Sequence, residues 1–334
     1  VRVVHLVRSS AFAGVERYIA TTAQAMTARA EVTVIGGDAA TMPEAVPGVR
    51  WMPGSTIPET VRSLRGAGTI DVLNSHMTDA DLIAAVLAPR RTALVSTRHF
   101  AAPRGASAPA RLAGRLAASR FRAELSVSHY VARRIGVESR VVHTGVAPVP
   151  DRASAPEPIV LAVQRLEAEK ATEVAVRAWA TSGGAERGWR FVVLGDGSRR
   201  AQLERLAADL GVGGSVEFCG FASAPAEWYR RAAILIAPTP REGLGLSVLE
   251  AMAHEVAVVA ADGGGHRETI GATTDARMFV PGDWDAAGGH LRKLIDDSAL
   301  RTATARAGRD RQRAEFTTEH QVQATLEVYR QVLR

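Results

Sequence analysis

Short apolar runs alternate with helical segments along the whole chain, and the alternation restarts after one proline-rich stretch. No other feature constrains the fold as much. Strand–helix repeats of this kind call for parallel pairing, and a parallel sheet is covered by helices on both faces. In the first half the strand-like runs are Val1–Val7, Glu31–Gly37, Val49–Met52, Asp71–Asn74, Ala93–Thr97 and Glu124–Ser128, with Val15–Arg29 as the first helix. Residues 147–158 hold four prolines in twelve positions and read as a linker. Beyond it, strands are expected at Ile159–Val163, Arg190–Gly195, Ser215–Cys219, Ile234–Ala237 and Val256–Ala260. Helices are expected between them at Lys170–Thr181, Arg199–Leu210, Ala224–Ala232 and Ser247–His254. The expected fold class is therefore α/β, with two doubly wound domains, 1–150 and 151–316, facing across a cleft. A last helix, 317–334, carries Val322, Leu326, Tyr329 and Leu333 on one face and is free to pack back on the first domain.

Composition excludes several classes. With 334 residues, 46% apolar and 23% charged, the chain can bury large cores and is not expected to be disordered. A single cysteine, Cys219, excludes a disulfide framework and multi-cysteine metal sites. The longest apolar runs fall far short of the about 20 residues that span a bilayer. No charged-then-apolar signal segment opens the sequence, so a cytoplasmic location is expected. Residues 1–150 carry 18 Arg and no Lys against 10 acidic residues, whereas 151–334 are nearly balanced, with 23 basic and 25 acidic residues. The first half thus suits an anionic partner, including peripheral contact with the inner face of a membrane. The plain alternative is a general preference for arginine. Arg111, Arg115 and Arg122 fall on one face of a helix, but its apolar stripe, Leu112, Leu116 and Phe121, is thin, and a solvated surface helix is expected. Aromatics are 5% of the chain and no recognition motif is present, so no nucleic-acid partner is expected.

Chemistry concentrates in Pro240–Met252. Glu242 lies in a loop with Gly243 and Gly245, and Glu250 lies in the helix that follows. The glycines admit close backbone approach. The unpaired amides at the helix start suit an anion such as a diphosphate. A carboxylate one turn into that helix can accept two hydrogen bonds from a vicinal diol such as a ribose. Upstream, Arg165 and Lys170 follow a strand of the same domain, where two cations would neutralise a diphosphate leaving group. Lys170 is one of only two lysines, the other being Lys293. Gly195-Asp196-Gly197 after the next strand is a turn.

These segments together resemble the retaining, metal-independent glycosyltransferases of the GT-B fold, family four, also known as glycosyl transferases group 1. The matching runs are Val163–Ala171, Val193–Gly197, Val216–Phe221, Pro238–Ala253 and Gly263–Ile270. Weaker matches in the first half are Gly14–Tyr18, Ser96–His99, Val127-Ser128 and Val141–Val146. The resemblance implies two Rossmann-like domains, an acceptor-side one and a donor-binding one. It also implies transfer of a sugar from a nucleotide sugar to a hydroxyl-bearing acceptor such as a natural product or a cell-envelope glycoconjugate, and a UDP-sugar is favoured because uridine diphosphate is the commonest donor nucleotide. No further cofactor and no metal are implied. By the same resemblance Arg165 and Lys170 hold the diphosphate and Glu250 the ribose. Glu242 contacts the transferred sugar. Amides of Gly243, Leu244, Gly245, Leu246 and Ser247 complete the phosphate and sugar site. Gly14 presents its amide to the phosphate, the strand end at Cys219 borders the base, and His99 sits near sugar and acceptor. The sequence departs from the family in having Gln164 and Ala171 where glycines are usual, Leu244 for Phe, and Thr144-Gly145-Val146-Ala147 for the usual Asn-Gly-Val-Asp.

Other signals read as structural. His5 and His76 lie near expected strand ends and are not assigned to the site. Asp79-Ala80-Asp81 reads as a helix N-cap, as does Asp283-Trp284-Asp285, and neither is assigned a metal. Gly263-Gly264-Gly265 is expected to line the cleft. The alternative functions are a nucleotide-sugar 2-epimerase, a pyridoxal-phosphate phosphorylase and a silent binding module. The first lacks a visible acid–base pair, the second has only two lysines to draw on, and the retained Arg165, Lys170, Glu242 and Glu250 argue against the third.

Overall fold

A computed structural model describes residues 1–105, 108–152, 154–222, 225–273 and 276–334, without the side chains of 108–111. The chain forms two units, Val1–Gly145 with Thr318–Arg334, and Val146–Thr317. The first holds seven parallel strands: β1 (Arg2–Val7), β2 (Glu31–Ile35), β3 (Arg50–Met52), β4 (Val72–His76), β5 (Ala93–Arg98), β6 (Ala123–Ser126) and β7 (Arg140–Val141). They run in the order β3-β2-β1-β4-β5-β6-β7. The second holds β8 (Ile159–Val163), β9 (Arg190–Leu194), β10 (Val216–Gly220), β11 (Ile234–Ala237), β12 (Ala257–Ala261) and β13 (Arg277–Phe279), in the order β10-β9-β8-β11-β12-β13. Each sheet is thus Rossmann-like, with strand order reversing once, between β1 and β4 and between β8 and β11. A ligand of such a sheet binds beyond the carboxyl ends of the strands at that reversal.

Burial explains the strands. Val4, Leu6, Leu73 and Leu94 pack the first core, and Val160, Phe191, Val193, Ile234, Ile236 and Val259 the second, all essentially inaccessible. The terminal helix Thr318–Val332 belongs to the first unit: Val322, Leu326 and Tyr329 are buried. The Tyr329 hydroxyl accepts a 2.7 Å hydrogen bond from Asn74 of β4. Leu333 lies beyond the helix and is exposed. The division between units falls at 145/146, not 150/151. Part of the proline-rich stretch is tied to the second unit, because Arg152 donates to the carbonyls of Tyr229, Ala232 and His254, and Asp151 pairs with Arg309 and Arg313.

Several sequence expectations are corrected. Lys170 ends a single 3-10 turn, Ala168–Lys170, and the α-helix starts only at Thr172. The strand expected at Glu124–Ser128 is Ala123–Ser126, and that expected at Asp71–Asn74 runs on to His76. Asp81 does not cap its helix, Thr78–Leu87. It is buried, accepting from Ser75 and pairing with Arg104 at 2.6 Å. Arg104 also pairs with Glu124 at 2.5 Å, with Arg98 on the far side of that carboxylate. Asp283 does cap helix Trp284–Asp296, through the amide of Ala286. Arg122 is not on a helical face with Arg115, since the helix ends at Ala118 and Arg122 donates to the carbonyl of Val332. Leu112 and Leu116 are solvent-exposed, while the Arg111 side chain, Ala153 of the linker and the expected helix start at Ala224 lie outside the described residues. Helix Ser298–Glu315 buries only Ala305, Gly308 and Gln312, a face too small and too polar to show as apolar periodicity. Among the described residues no helix is long and apolar enough to cross a membrane.

Candidate functional site

At the reversal point of the second sheet, the segments after β8 and β11 are stitched together by Gln164. Its side-chain oxygen accepts from the Thr239 hydroxyl at 3.1 Å, and its amide donates to Thr172 at 2.9 Å and to the Lys170 carbonyl at 3.3 Å. This fixes the turn that carries Lys170. The Lys170 ammonium then donates to Glu242 at 2.6 Å, with both side chains largely shielded from solvent. Burial pushes the Glu242 carboxyl up. Lys170, through its charge and hydrogen bond, then His266 and the Gly243 amide, outweigh burial and hold it below the usual carboxylate range. The sequence gives each of these groups a separate ligand contact, whereas the structure pairs them.

Glycine is required here by geometry. Gly245 precedes helix Leu246–Ala253 with φ of 102°, and a Cβ there would stand 2.9 Å from the His266 ring. Gly264 has φ of 58°, and its Cβ would meet the Glu242 carbonyl at 2.4 Å. The Gly263–Gly265 run therefore packs backbone to backbone on the Pro240–Leu244 loop and supports Glu242, with the Gly265 amide donating to the Glu242 carbonyl at 2.8 Å. His266 is buried behind the loop, and that burial pushes its pKa down. Leu244 is buried, while Leu246 and Ser247 are half-buried at the start of the helix, where no side chain caps the first turn. Glu250, farther along the same helix, accepts from the Tyr229 hydroxyl at 3.0 Å, which fixes its rotamer. Ala171, where the related family has glycine, sits in the left-handed region with φ of 51°.

Two expected residues lie apart from this pair. Arg165 forms an exposed 2.7 Å ion pair with Glu169. Cys219 lies on edge strand β10 beside Glu217, and partial burial with that carboxylate pushes its thiol up to about 11. Sequence reasoning names Gln164 only as a departure and misses Tyr229, Thr239 and His266. Nothing in their spacing marks them, because strand pairing alone brings them to the loop.

In the first unit Gly14 opens helix Gly14–Met26, with open space around its Cα and Glu16 accepting from the Ala13 amide. His99, just after β5, borders a cavity of about 260 Å³ with Met77, Thr97 and Arg98. His5 and His76 are fully buried beneath it. His5 Nδ1 lies 3.0 Å from His76 Nε2, and His76 Nδ1 lies 3.0 Å from His99 Nε2. Burial pushes all three down, His5 to about 4 and His99, with Arg98 adding to the effect, to about 3.

Residues 150–311 match the family model described as Glycosyl transferases group 1. The chain is 33% identical over 179 residues to a 2-deoxystreptamine glucosyltransferase of Streptomyces kanamyceticus, covering 53% of this chain and 46% of that one. It is 32% identical over 174 residues to the lipopolysaccharide core mannosyltransferase LpcC of Rhizobium leguminosarum bv. viciae, covering 51% and 49%. The chain thus spans about half the length of the curated relatives it matches. Anabaena Alr3699/HepE, solved with UDP and glucose, superposes with a TM-score of 0.82 at 19% identity, covering 98% of each chain. Sucrose-phosphate synthase of Thermosynechococcus elongatus superposes with a TM-score of 0.78 at 19% identity, covering 99% and 98%. The fold is that of GT-B glycosyltransferases, two Rossmann-like α/β domains with parallel sheets. Within it, residues 150–311 are similar to the Glycosyl transferases group 1 domain.

Proposed function

We propose that this protein is a glycosyltransferase that moves a sugar from a nucleotide-sugar donor to an acceptor hydroxyl with retention of configuration and without a metal. The observation that carries this reading is the Lys170–Glu242 pair beside the start of helix Leu246–Ala253, with Glu250 farther along that helix. An ammonium has three protons, so Lys170 can keep Glu242 while donating to a phosphate oxygen. Helix amides take the remaining diphosphate charge. Arg165, released from its exposed pair with Glu169, adds a second cation, because such pairs are worth little in water. Glu250 accepts from the ribose, Glu242 from the transferred sugar, and the strand end at Cys219 borders the base. In the first unit Gly14 offers its amide to the phosphate, and His99 serves the sugar and the acceptor.

Retention follows if the acceptor attacks from the face the diphosphate leaves, where the departing phosphate itself takes the hydroxyl proton. No separate general base is then needed. A UDP donor is favoured, with support from UDP in the structure of HepE. The glucosyl and mannosyl transferases among the relatives support an acceptor that is a natural product or a cell-envelope glycoconjugate. The basic first half suits work at the cytoplasmic face of a membrane. The 2-epimerase alternative gains no support from these relatives.

A panel of UDP- and GDP-sugars, scored by thermal shift and then by transfer to amino-cyclitol and glycolipid acceptors, tests the reading. Stabilisation by a UDP-sugar, and transfer that survives EDTA, is expected. Transfer abolished by EDTA and restored by magnesium or manganese contradicts metal independence. No stabilisation by any nucleotide sugar contradicts the function.

A further inference from the structure

We propose that His5 and His76 are positioning residues for His99, a closed-ended chain of imidazole hydrogen bonds that fixes His99 as its Nδ1–H tautomer and makes it a donor to a ligand oxygen. The inference rests on the reading of His99 as a site residue and deepens it. Its basis is geometric. The three rings are linked by two contacts of 3.0 Å, each from Nδ1 of one ring to Nε2 of the next. Tyr18, from helix Gly14–Met26, meets the His99 ring edge-on at 4.7 Å and the His76 ring at 5.8 Å, which holds both ring planes. His5 comes from β1, His76 from β4 and His99 from the end of β5, so the chain crosses the reversal point of the first sheet.

Proton counting sets the direction. A neutral imidazole carries one N–H and one bare nitrogen. Three neutral rings hold three protons, and two of them are used in the two internal hydrogen bonds. The third must emerge at one end. At the inner end His5 Nε2 is buried with no hydrogen-bond partner. A proton there would be an orphaned buried donor, the rarer and costlier kind of unpaired group. At the outer end, among the described residues, His99 Nδ1 has no hydrogen-bond partner, and His99 borders the 260 Å³ cavity. The proton therefore sits on His99 Nδ1, His76 donates from Nδ1, and His5 donates from Nδ1. The desolvated surroundings keep a fourth proton off the chain. Because the inner end reaches no exchange partner, the chain cannot carry protons through the domain. It sets a tautomer, and the second nitrogen of a histidine commonly does this for the first.

The consequence is chemical. As the Nδ1–H tautomer His99 has no lone pair at Nδ1 to take a proton, and its bare Nε2 is already occupied by the hydrogen bond from His76. It donates to a hydroxyl or phosphate oxygen instead. This agrees with a mechanism in which the leaving phosphate, not a histidine, removes the acceptor's proton.

Ring-nitrogen NMR on the full chain, with 15N-labelled histidine, tests this directly. Protonated Nδ1 and bare Nε2 on His99 is expected. Protonated Nε2, or a mixture of tautomers, overturns the proposal. His76→Phe keeps an aromatic ring in place but removes both hydrogen bonds. It is expected to release His99 into a tautomer mixture and to lower kcat about tenfold or more, with donor KM nearly unchanged. His76→Asn, whose amide can still donate to His99 Nε2, is expected to restore the tautomer and most of kcat. A Phe variant as active as the parent, or more active than Asn, means the ring only packs and contradicts the proposal. Should His76→Phe fail to fold, the parent spectrum and the Asn variant still decide. The spectrum needs no turnover, so a chain that transfers no sugar sinks the function while leaving the tautomer question answerable.

Discussion

The two sheets reverse their strand order at the same place and furnish it with opposite chemistry. Around β1 and β4 the chain puts three neutral imidazoles, two of them fully buried. Around β8 and β11 it puts an ammonium and a carboxylate, on loops whose glycines let backbones touch. A shared topology fixes where a ligand can bind, and the side chains after the strands decide what it can be. On the proposed function the second unit receives the anion. In the first unit Arg104, Asp81, Glu124 and Arg98 neutralise one another in the interior, with side chains at most 9% exposed, and Arg8 pairs with Asp79 just past the ends of β1 and β4.

That contrast predicts which charges can be removed. Arg104→Ala strands the buried Asp81 and leaves Glu124 with Arg98 alone, and is expected to cost about 3–5 kcal/mol of stability, measured by urea unfolding. A loss below 1 kcal/mol would show that the first unit's charges are not structural. Lys170→Ala, by contrast, is expected to cost ligand rather than fold. Loss of one charge-assisted phosphate contact weakens UDP binding by about 1.5–3 kcal/mol, read by calorimetry. Unchanged UDP affinity would put the diphosphate elsewhere. The smallest effect is at Ala171. Its left-handed backbone strains any Cβ, so Ala171→Gly is expected to stabilise the protein by about 1 kcal/mol, read from the midpoint of unfolding. Destabilisation would mean that Gln164 and Thr172 already hold that turn without strain.

The same contrast explains what was legible in the sequence. Lys170, Glu242 and Glu250 lie in two local segments whose spacing carries the resemblance, and so they can be read directly. Their direct pairing could not be, because it depends on β8 lying beside β11. The histidine chain is harder still. His5 and His76 come from two strands and His99 follows a third, the first two 71 positions apart and the last two 23 positions apart. Each alone resembles an ordinary strand-end histidine. Parallel pairing, which sets Val7 against His76 and His76 against Thr97, brings them together. Asp81 misleads for a related reason. Its position near a helix start suggests a cap, but the buried Arg104 competes for the carboxylate and wins.

The central claim is that a nucleotide sugar lies along helix Leu246–Ala253, with its ribose toward Glu250 and its sugar toward Glu242. Calorimetry with UDP on the two alanine variants, beside transfer kinetics with the full donor, tests it most directly. Glu250→Ala is expected to weaken UDP binding roughly tenfold to a hundredfold, as loss of hydrogen bonds to a charged group does. Glu242→Ala frees Lys170 for the diphosphate, so UDP affinity is expected to hold or rise while transfer falls. The reverse pattern, with Glu242→Ala losing UDP and Glu250→Ala keeping it, would contradict the account and turn the donor end for end.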